Sequence, residues 1–357
     1  MTGTDTRLRL RGRAQMIWVD DALLLSLGTT RLRVAPFTEK ELPHLHELRG
    51  GCAADQVASV PWMSRLHGAG FLEECTPASS DPDLARFDRL LNFLSEMELA
   101  GESRFTLLRR LREAHCVIVG LGGLASWVVY NLVCCGVGRF TVIDGDVVEM
   151  SNLNRSILFT EADVGRPKVT VAAEAMRRFH PRIEVTTRQF VVTSQEDLVP
   201  ELEKADVVLG LADQPPWVIK EWITAAAQRT KTPVLLASGS RVGPFRLDES
   251  GACAMCDWSH QIERQPLYGE LLRRQLRLPR GSSGALSPHG AMTAAVVAME
   301  AVRHLLGLTP ATVNRVWQLA GDFTAGFDPC VKHPRCGVCG TTGDKGLPLP
   351  SESLERP

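Results

Sequence analysis

An apolar run, Cys116-Val117-Ile118-Val119, opens directly into Gly120-Leu121-Gly122-Gly123-Leu124-Ala125, and a second run, Phe140-Thr141-Val142-Ile143-Asp144, follows one helix length later. No other feature restricts the fold of the chain as much. Short continuous apolar runs suit strands buried on both faces, as in parallel sheets whose connections are helices. Ser126 to Cys135 supplies the first such helix. The series continues through Ile183-Glu184-Val185, Asp206-Val207-Val208-Leu209 and Pro233-Val234-Leu235-Leu236, with helices predicted at 168–179 and 217–229. The fold class is therefore α/β, a doubly wound, Rossmann-like and mostly parallel sheet.

A glycine-rich turn between strand and helix lets the backbone approach a phosphate held at the helix N-terminus. Alone, the loop formed by Gly120, Gly122 and Gly123 fits a nicotinamide or flavin site, an ATP site, or only a tight turn. Downstream lie Asp144-Gly145-Asp146, then Ser151-Asn152-Leu153-Asn154-Arg155 and Gly165-Arg166-Pro167-Lys168. An acid at the second strand end suits ribose hydroxyls in any dinucleotide fold. The Asn, Arg and Lys behind it suit a triphosphate attacked at its α-phosphorus, where cations stabilise the charge that builds on the oxygens. Asp213 follows the strand from Asp206, at the same carboxyl edge of the sheet. Singly, Lys168 also reads as a solvated residue at a helix start, and Asp213 as a helix cap before Pro215-Pro216.

Residues 1–75 read as a separate, winged-helix-like α+β module. Met16 to Val19 and Leu23 to Leu25 flank Asp20-Asp21 in a hairpin pattern. Thr38 caps a helix from Glu39 that carries Leu42, Leu45 and Leu48 on one face, and Gly50-Gly51 ends it. A second helical stretch runs from Asp55 to His67, with Arg65 as its base, too little charge to neutralise several phosphates. A peptide clamp fits this module better than DNA. Residues 76–115 hold a polar linker and helices, 116–340 the α/β domain, and 341–357, with three prolines, a disordered tail. The net charge of -1 gives no case for nucleic acid or an anionic membrane as partner. No run approaches the roughly 18 apolar residues of a membrane span, and no signal peptide is recognisable, so a cytoplasmic protein is expected.

Four of the ten cysteines form two C-x-x-C pairs, Cys253/Cys256 and Cys336/Cys339, about 80 residues apart. Without an export signal a metal site is the better reading than disulfides. Four thiolates complete a tetrahedral Zn²⁺ and leave no open position, which makes the role structural. Cys330 and His333 are nearby competitors. Cys134 and Cys135, inside an apolar helix, read as packing residues rather than nucleophiles.

Taken together, the glycine loop, the D-x-D, the S-N-L-N-R and the Pro-Lys resemble the adenylation domain of the ubiquitin-activating/ThiF family over roughly residues 86–340. Leu158 to Gly165 and Ala212-Asp213-Gln214-Pro215 resemble most its branch that adenylates the microcin C heptapeptide. The resemblance implies ATP and Mg²⁺: Asp144 and Asp146 would hold ribose and help organise Mg²⁺, Asn154 and Arg155 would contact the triphosphate, Lys168 the α-phosphate, and Asp213 would bind Mg²⁺. It also implies Zn²⁺ on the two C-x-x-C pairs. Arg86-Phe87-Asp88-Arg89-Leu90 partly matches a family motif whose second arginine, here Arg89, reaches into a partner subunit's site, which implies a homodimer. Leu90, Ala125 and Ser156 depart from the family pattern.

Ubiquitin-type enzymes place a catalytic cysteine between the zinc knuckles, and this chain has none between Asp257 and Pro329. The expected activity is therefore ATP-dependent adenylation of the C-terminal carboxylate of a ribosomally made precursor peptide in natural-product biosynthesis, without an enzyme thioester, the peptide being gripped by the N-terminal module. Sulfur-carrier activation shares the chemistry but leaves that module unexplained. The reading from another class is a catalytically silent leader-binding partner of a YcaO-type cyclodehydratase. Loss of ATP residues would mark it, and Asn154, Arg155, Lys168 and Asp213 are all present.

Overall fold

A computed structural model describes residues 6–12, 14–75, 83–95, 103–265, 267 and 284–342. Residues 76–82 of the expected linker and 343–357 of the expected tail lie outside them. The chain divides into two compact units, Met1–Arg109 and Arg110–Pro357.

The first unit carries two small antiparallel sheets. One is built from β1 (Arg7–Leu10), with β5 (Cys52–Ala53) and β6 (Leu72–Cys75) on either side; the other is the meander β2 (Gln15–Val19), β3 (Ala22–Leu27) and β4 (Thr30–Val34). The expected hairpin forms as Val19 pairs with Ala22, and Asp20 takes the positive φ of 51° that so short a turn requires. Along β3, Leu23 and Leu25 point inward and Leu24 outward, the alternation of a half-buried strand. They meet Phe37, Leu48, Met63, Leu66 and Phe71 in one core. Thr38 caps as expected, in a reciprocal box with Glu41, and α1 (Leu42–Gly50) follows.

The single helical stretch expected from Asp55 to His67 is in fact two helices, α2 (Ala54–Ser59) and α3 (Pro61–Gly68). Pro61 cannot accept α geometry in the residue before it, and Val60 is extended. The short helices α4 (Asp83–Arg86) and α5 (Asp88–Leu94) also belong to this unit. Next in the chain comes α6 (Arg104–Glu113).

The second unit is a βα series: β7 (His115–Val119), α7 (Gly123–Cys134), β8 (Arg139–Ile143), α8 (Lys168–Phe179), β9 (Glu184–Arg188), α9 (Val199–Leu202), β10 (Val207–Gly210), α10 (Val218–Thr230) and β11 (Val234–Ser238). β12 (Arg241–Val242), α11 (Ala254–Arg264), α12 (Ser287–Leu305), β13 (Arg315–Leu319) and β14 (Ala325–Pro329) complete it. The eight strands run in the order β14-β13-β12-β11-β10-β7-β8-β9. From β11 to β9 all pairings are parallel, and β12, β13 and β14 add an antiparallel end that the apolar pattern did not announce. β10 is buried throughout, and β7 and β8 from their second residues on, because helices cover both faces. Cys134 ends α7 exposed and Cys135 follows half-buried, so this pair closes the helix instead of packing inside it. Among the described residues no helix is long and apolar enough to cross a membrane.

Candidate nucleotide site and cysteine cluster

The strands β11, β10, β7 and β8 bring their carboxyl ends to one edge, where ligands of open α/β sheets bind. Gly120 leaves β7 at φ +94°, and a Cβ there would lie 2.6 Å from the backbone nitrogen of Ala212. Only glycine permits this approach. The loop after β10 is thereby laid along the glycine loop, and the Leu211 N–H donates to the Val119 carbonyl at 2.8 Å. Asp213 follows, exposed, with no hydrogen bond or ion pair among the described residues.

Asp144 accepts from the Leu121 N–H at 2.6 Å through Oδ2 and from the Asp146 N–H at 2.8 Å through Oδ1. The acid at the end of β8 therefore braces the glycine loop. Lys168, the first residue of α8, donates through Nζ to Asp146 Oδ2 at 2.8 Å, and its backbone N–H reaches the Asp146 carbonyl at 3.0 Å. Arg155 packs so closely on the loop that a Cβ on Gly123 would lie 2.6 Å from its Cγ. Its carbonyl accepts from Trp127 Nε1 at 3.1 Å, and its Nη1 donates to Ser151 O at 2.5 Å and Asn154 Oδ1 at 3.1 Å.

Thus Gly120, Gly122, Gly123, Asp144, Asp146, Asn154, Arg155 and Lys168 form one connected group, with the Asp213 loop against it. Together they offer backbone donors at the start of α7, two cations and three carboxylates along the carboxyl edge of the sheet, a donor set suited to a nucleotide triphosphate and its cation. Arg89 stands exposed on α5 in the other compact unit.

The sulfurs of Cys253, Cys256, Cys336 and Cys339 gather in the buried core, with separations of 3.8, 3.7, 3.3 and 3.3 Å around the group. A tetrahedral Zn²⁺ with bonds of about 2.3 Å would set its sulfurs about 3.8 Å apart, so the four fit that ion. The His333 N–H donates to Cys256 Sγ at 3.3 Å, the kind of outer hydrogen bond that orients a thiolate ligand. Hydrogen bonds from the Cys253 and Cys256 sulfurs lower the Cys336 thiol from its usual range. Cys330 stands outside the group, and burial pushes its thiol up to about 12. His333 directs its ring to Glu263 at 3.0 Å instead.

One polar cluster at the same sheet edge escapes the sequence reading: Lys220, Ser238, Arg241 and Asp257 around Trp217. Its sequence signal is slight, a tryptophan and a lysine three residues apart at the start of a helix.

The ThiF family matches residues 87–338. The sulfur carrier protein ThiS adenylyltransferase of Escherichia coli K12 is 30% identical over 243 residues, 67% of this chain and 88% of its own length. The molybdopterin-synthase adenylyltransferase of the same organism is 28% identical over 266 residues, 73% of this chain and 98% of its own. A crystal structure of E. coli MccB with ATP has the same fold, with a TM-score of 0.68 at 20% identity, and covers 94% of this chain and 100% of that one. The matched residues 87–338 include the glycine loop, the acid at the end of β8 and three of the four clustered cysteines, and the chain belongs to the ThiF family of adenylyltransferases.

Proposed function

We propose that this ATP-using enzyme adenylates the C-terminal carboxylate of a ribosomally made peptide, releases pyrophosphate and forms no thioester with a cysteine of its own. The observation that carries the reading is the N-terminal unit and its bare apolar edge. Among the described residues β2 pairs only with β3, and its Ile17, Trp18 and Val19 are 64%, 41% and 45% exposed. An unpaired apolar edge strand is where an extended peptide adds as a further strand. The family match begins only at residue 87, and the ThiS and molybdopterin-synthase adenylyltransferases match 67% and 73% of the chain. By contrast, a structure of the microcin C7 biosynthetic enzyme MccB in complex with N-formylated MccA covers 94% of it.

In this reading the amides at the start of α7 face the phosphates, Asn154 and Arg155 hold the triphosphate, and Lys168 passes from Asp146 to the α-phosphate. Asp144 and Asp146 take the ribose. Asp213 would hold Mg²⁺, which when bound neutralises part of the phosphate charge. The four cysteines would hold a structural Zn²⁺. Arg89 of a second copy would complete the site in a homodimer.

ATP–pyrophosphate exchange with short peptides, compared with a ThiS-like carrier ending in Gly-Gly, tests the reading. Exchange with peptides supports it. Exchange only with the carrier would move the substrate to the sulfur-carrier class, which the 30% identity favours. Peptide binding without any exchange would leave a silent leader-binding partner of a YcaO-type cyclodehydratase. Trp18→Ser should weaken peptide binding at least about tenfold, the usual loss of an aromatic anchor, and leave exchange at saturating peptide unchanged.

A further inference from the structure

Lys220 sits in the first turn of α10 with its ammonium 4.5 Å from the centre of the Trp217 ring. Among the described residues its one hydrogen bond is to Ser238 Oγ at 2.9 Å, and no carboxylate pairs with it. An ammonium has three donors, so two are left over. Asp257, the acid whose charge acts on it, is already engaged: Arg241 Nη2 reaches its two oxygens at 3.3 and 3.2 Å, and Gln261 Nε2 donates to Oδ2 at 2.8 Å. The cluster holds two cations and one anion. Burial holds the Lys220 ammonium down to about 8, the attraction of Asp257 opposing and the repulsion of Arg241 adding to it. A desolvated charge whose only partners among the described residues are a hydroxyl and a ring face is one anion short.

Trp217, the platform for that charge, is held at φ +61°, where a bulky side chain is strained, and its ring lies 4.9 Å from that of Trp258. Strain of this kind persists only where the surroundings enforce it, and it gathers at ligand sites. The position along the sheet edge adds direction. In the order β8, β7, β10, β11 the strand ends carry Asp144, the glycine loop, the Asp213 loop and Ser238. A nucleotide laid from a ribose at Asp144 across the glycine loop leaves the β11 end of the edge for the acceptor. Ser238 and Lys220 stand at that end.

We propose that Lys220, seated on Trp217 and steadied by Ser238, is the subsite that binds the acceptor's C-terminal carboxylate and aligns one of its oxygens with the α-phosphorus. The inference rests on the peptide-adenylating function proposed above. In the step it serves, a carboxylate oxygen forms a bond to the α-phosphorus while the bond from that phosphorus to the bridging oxygen breaks. The electron pair leaves with pyrophosphate, no proton moves, and Lys220 keeps its own. Since the ammonium pairs with the carboxylate before reaction, it acts more on KM for the peptide than on kcat.

The test uses the full-length enzyme and a panel of short N-acetylated peptides spanning the C-terminal amino acids, each as free acid and as C-terminal amide. Binding is measured by calorimetry alongside exchange. The wild type should prefer the acid by about 10- to 100-fold, the range expected of a charge-assisted contact. In Lys220→Met that preference should vanish and the peptide KM should rise by a similar factor, with the ATP KM within about twofold and the melting temperature no lower. Lys220→Arg should keep most of the preference. An undiminished acid preference in Lys220→Met, with peptide-dependent exchange intact in the wild type, overturns the subsite and leaves the proposed function standing. No exchange by the wild type with any peptide overturns both.

Discussion

The Lys168 ammonium stands 2.8 Å from Asp146 Oδ2, and the same lysine's backbone N–H donates to the Asp146 carbonyl at 3.0 Å. The start of α8 is thereby tied to the loop after β8. The two partners differ in setting: the lysine side chain is 10% exposed and the aspartate 67%. A solvated carboxylate loses little when it gives up its partner, so the ammonium is available to a phosphate that arrives beside it. Lys168→Ala should lower pyrophosphate exchange by about 100- to 1000-fold, the loss seen when one pre-positioned charge donor is removed. Peptide affinity measured by calorimetry should be unchanged. A fall in exchange smaller than about tenfold would remove Lys168 from the α-phosphate.

Two glycines of the loop should fail in different ways. At Gly120 both the φ of +94° and the Ala212 backbone forbid a side chain, and neither can yield cheaply. Gly120→Ala should cost about 1–3 kcal/mol, seen as a lower melting temperature, along with activity. At Gly123 the obstacle is the inner part of the Arg155 side chain, which yields only by turning about its Cα–Cβ bond and leaving its place beside the loop, and alanine is the better helix former. Gly123→Ala should therefore raise the ATP KM with little change in melting temperature. Equal melting temperatures for the two variants would contradict this division.

The contrast between these glycines also marks what the sequence makes legible. The parallel strands β7, β8, β10 and β11 announce themselves because burial on both faces demands continuous apolar runs, and α8 spans Lys168–Phe179 just behind Pro167, as its pattern predicts. β12 is two residues long and β14 is exposed along its length, so neither has an apolar signature. The break at Val60-Pro61 follows from the proline rule, which stops a helix at the residue before the ring even where the periodic pattern runs on. Asp144, Asp146, Arg155 and Lys168 meet through short-range connections within one βα unit, which order and spacing convey. Lys220, Ser238, Arg241 and Asp257 come together from α10, β11, β12 and α11, and only the folded sheet places them side by side.

The sulfur geometry fits one Zn²⁺ per chain, the structural ion proposed above. Cys336→Ser, or prolonged chelation, leaves buried sulfurs that no longer share a cation, and the two segments carrying the C-x-x-C pairs lose their cross-link. A loss of a few kcal/mol should appear as about 2–4 °C of melting temperature for each kcal/mol, with the ATP KM within about twofold because the cluster contributes no nucleotide contact. Elemental analysis finding no zinc in the wild type would end the assignment.

The depressed Lys220 value turns the acceptor subsite into a pH-dependent one, with a sign opposite to that of a carboxylate effect. Below pH 8 the free enzyme carries the ammonium and can pair with the peptide's carboxylate. As pH rises through about 8 the free enzyme loses that proton, and peptide affinity should fall by up to about tenfold per pH unit while ATP affinity stays level. Stability should move the other way. With the folded value near 8 and the ordinary one at 10.5, the buried charge burdens the fold fully below pH 8. Between those values the folded chain sheds the proton first, and the burden lifts as pH rises. Lys220→Met has no such charge, so the melting temperature advantage of the variant over the wild type should shrink between pH 7 and pH 10. Paired thermal melts and peptide titrations across that range check both slopes. A peptide affinity that holds constant to pH 10 would mean that Lys220 does not meet the carboxylate.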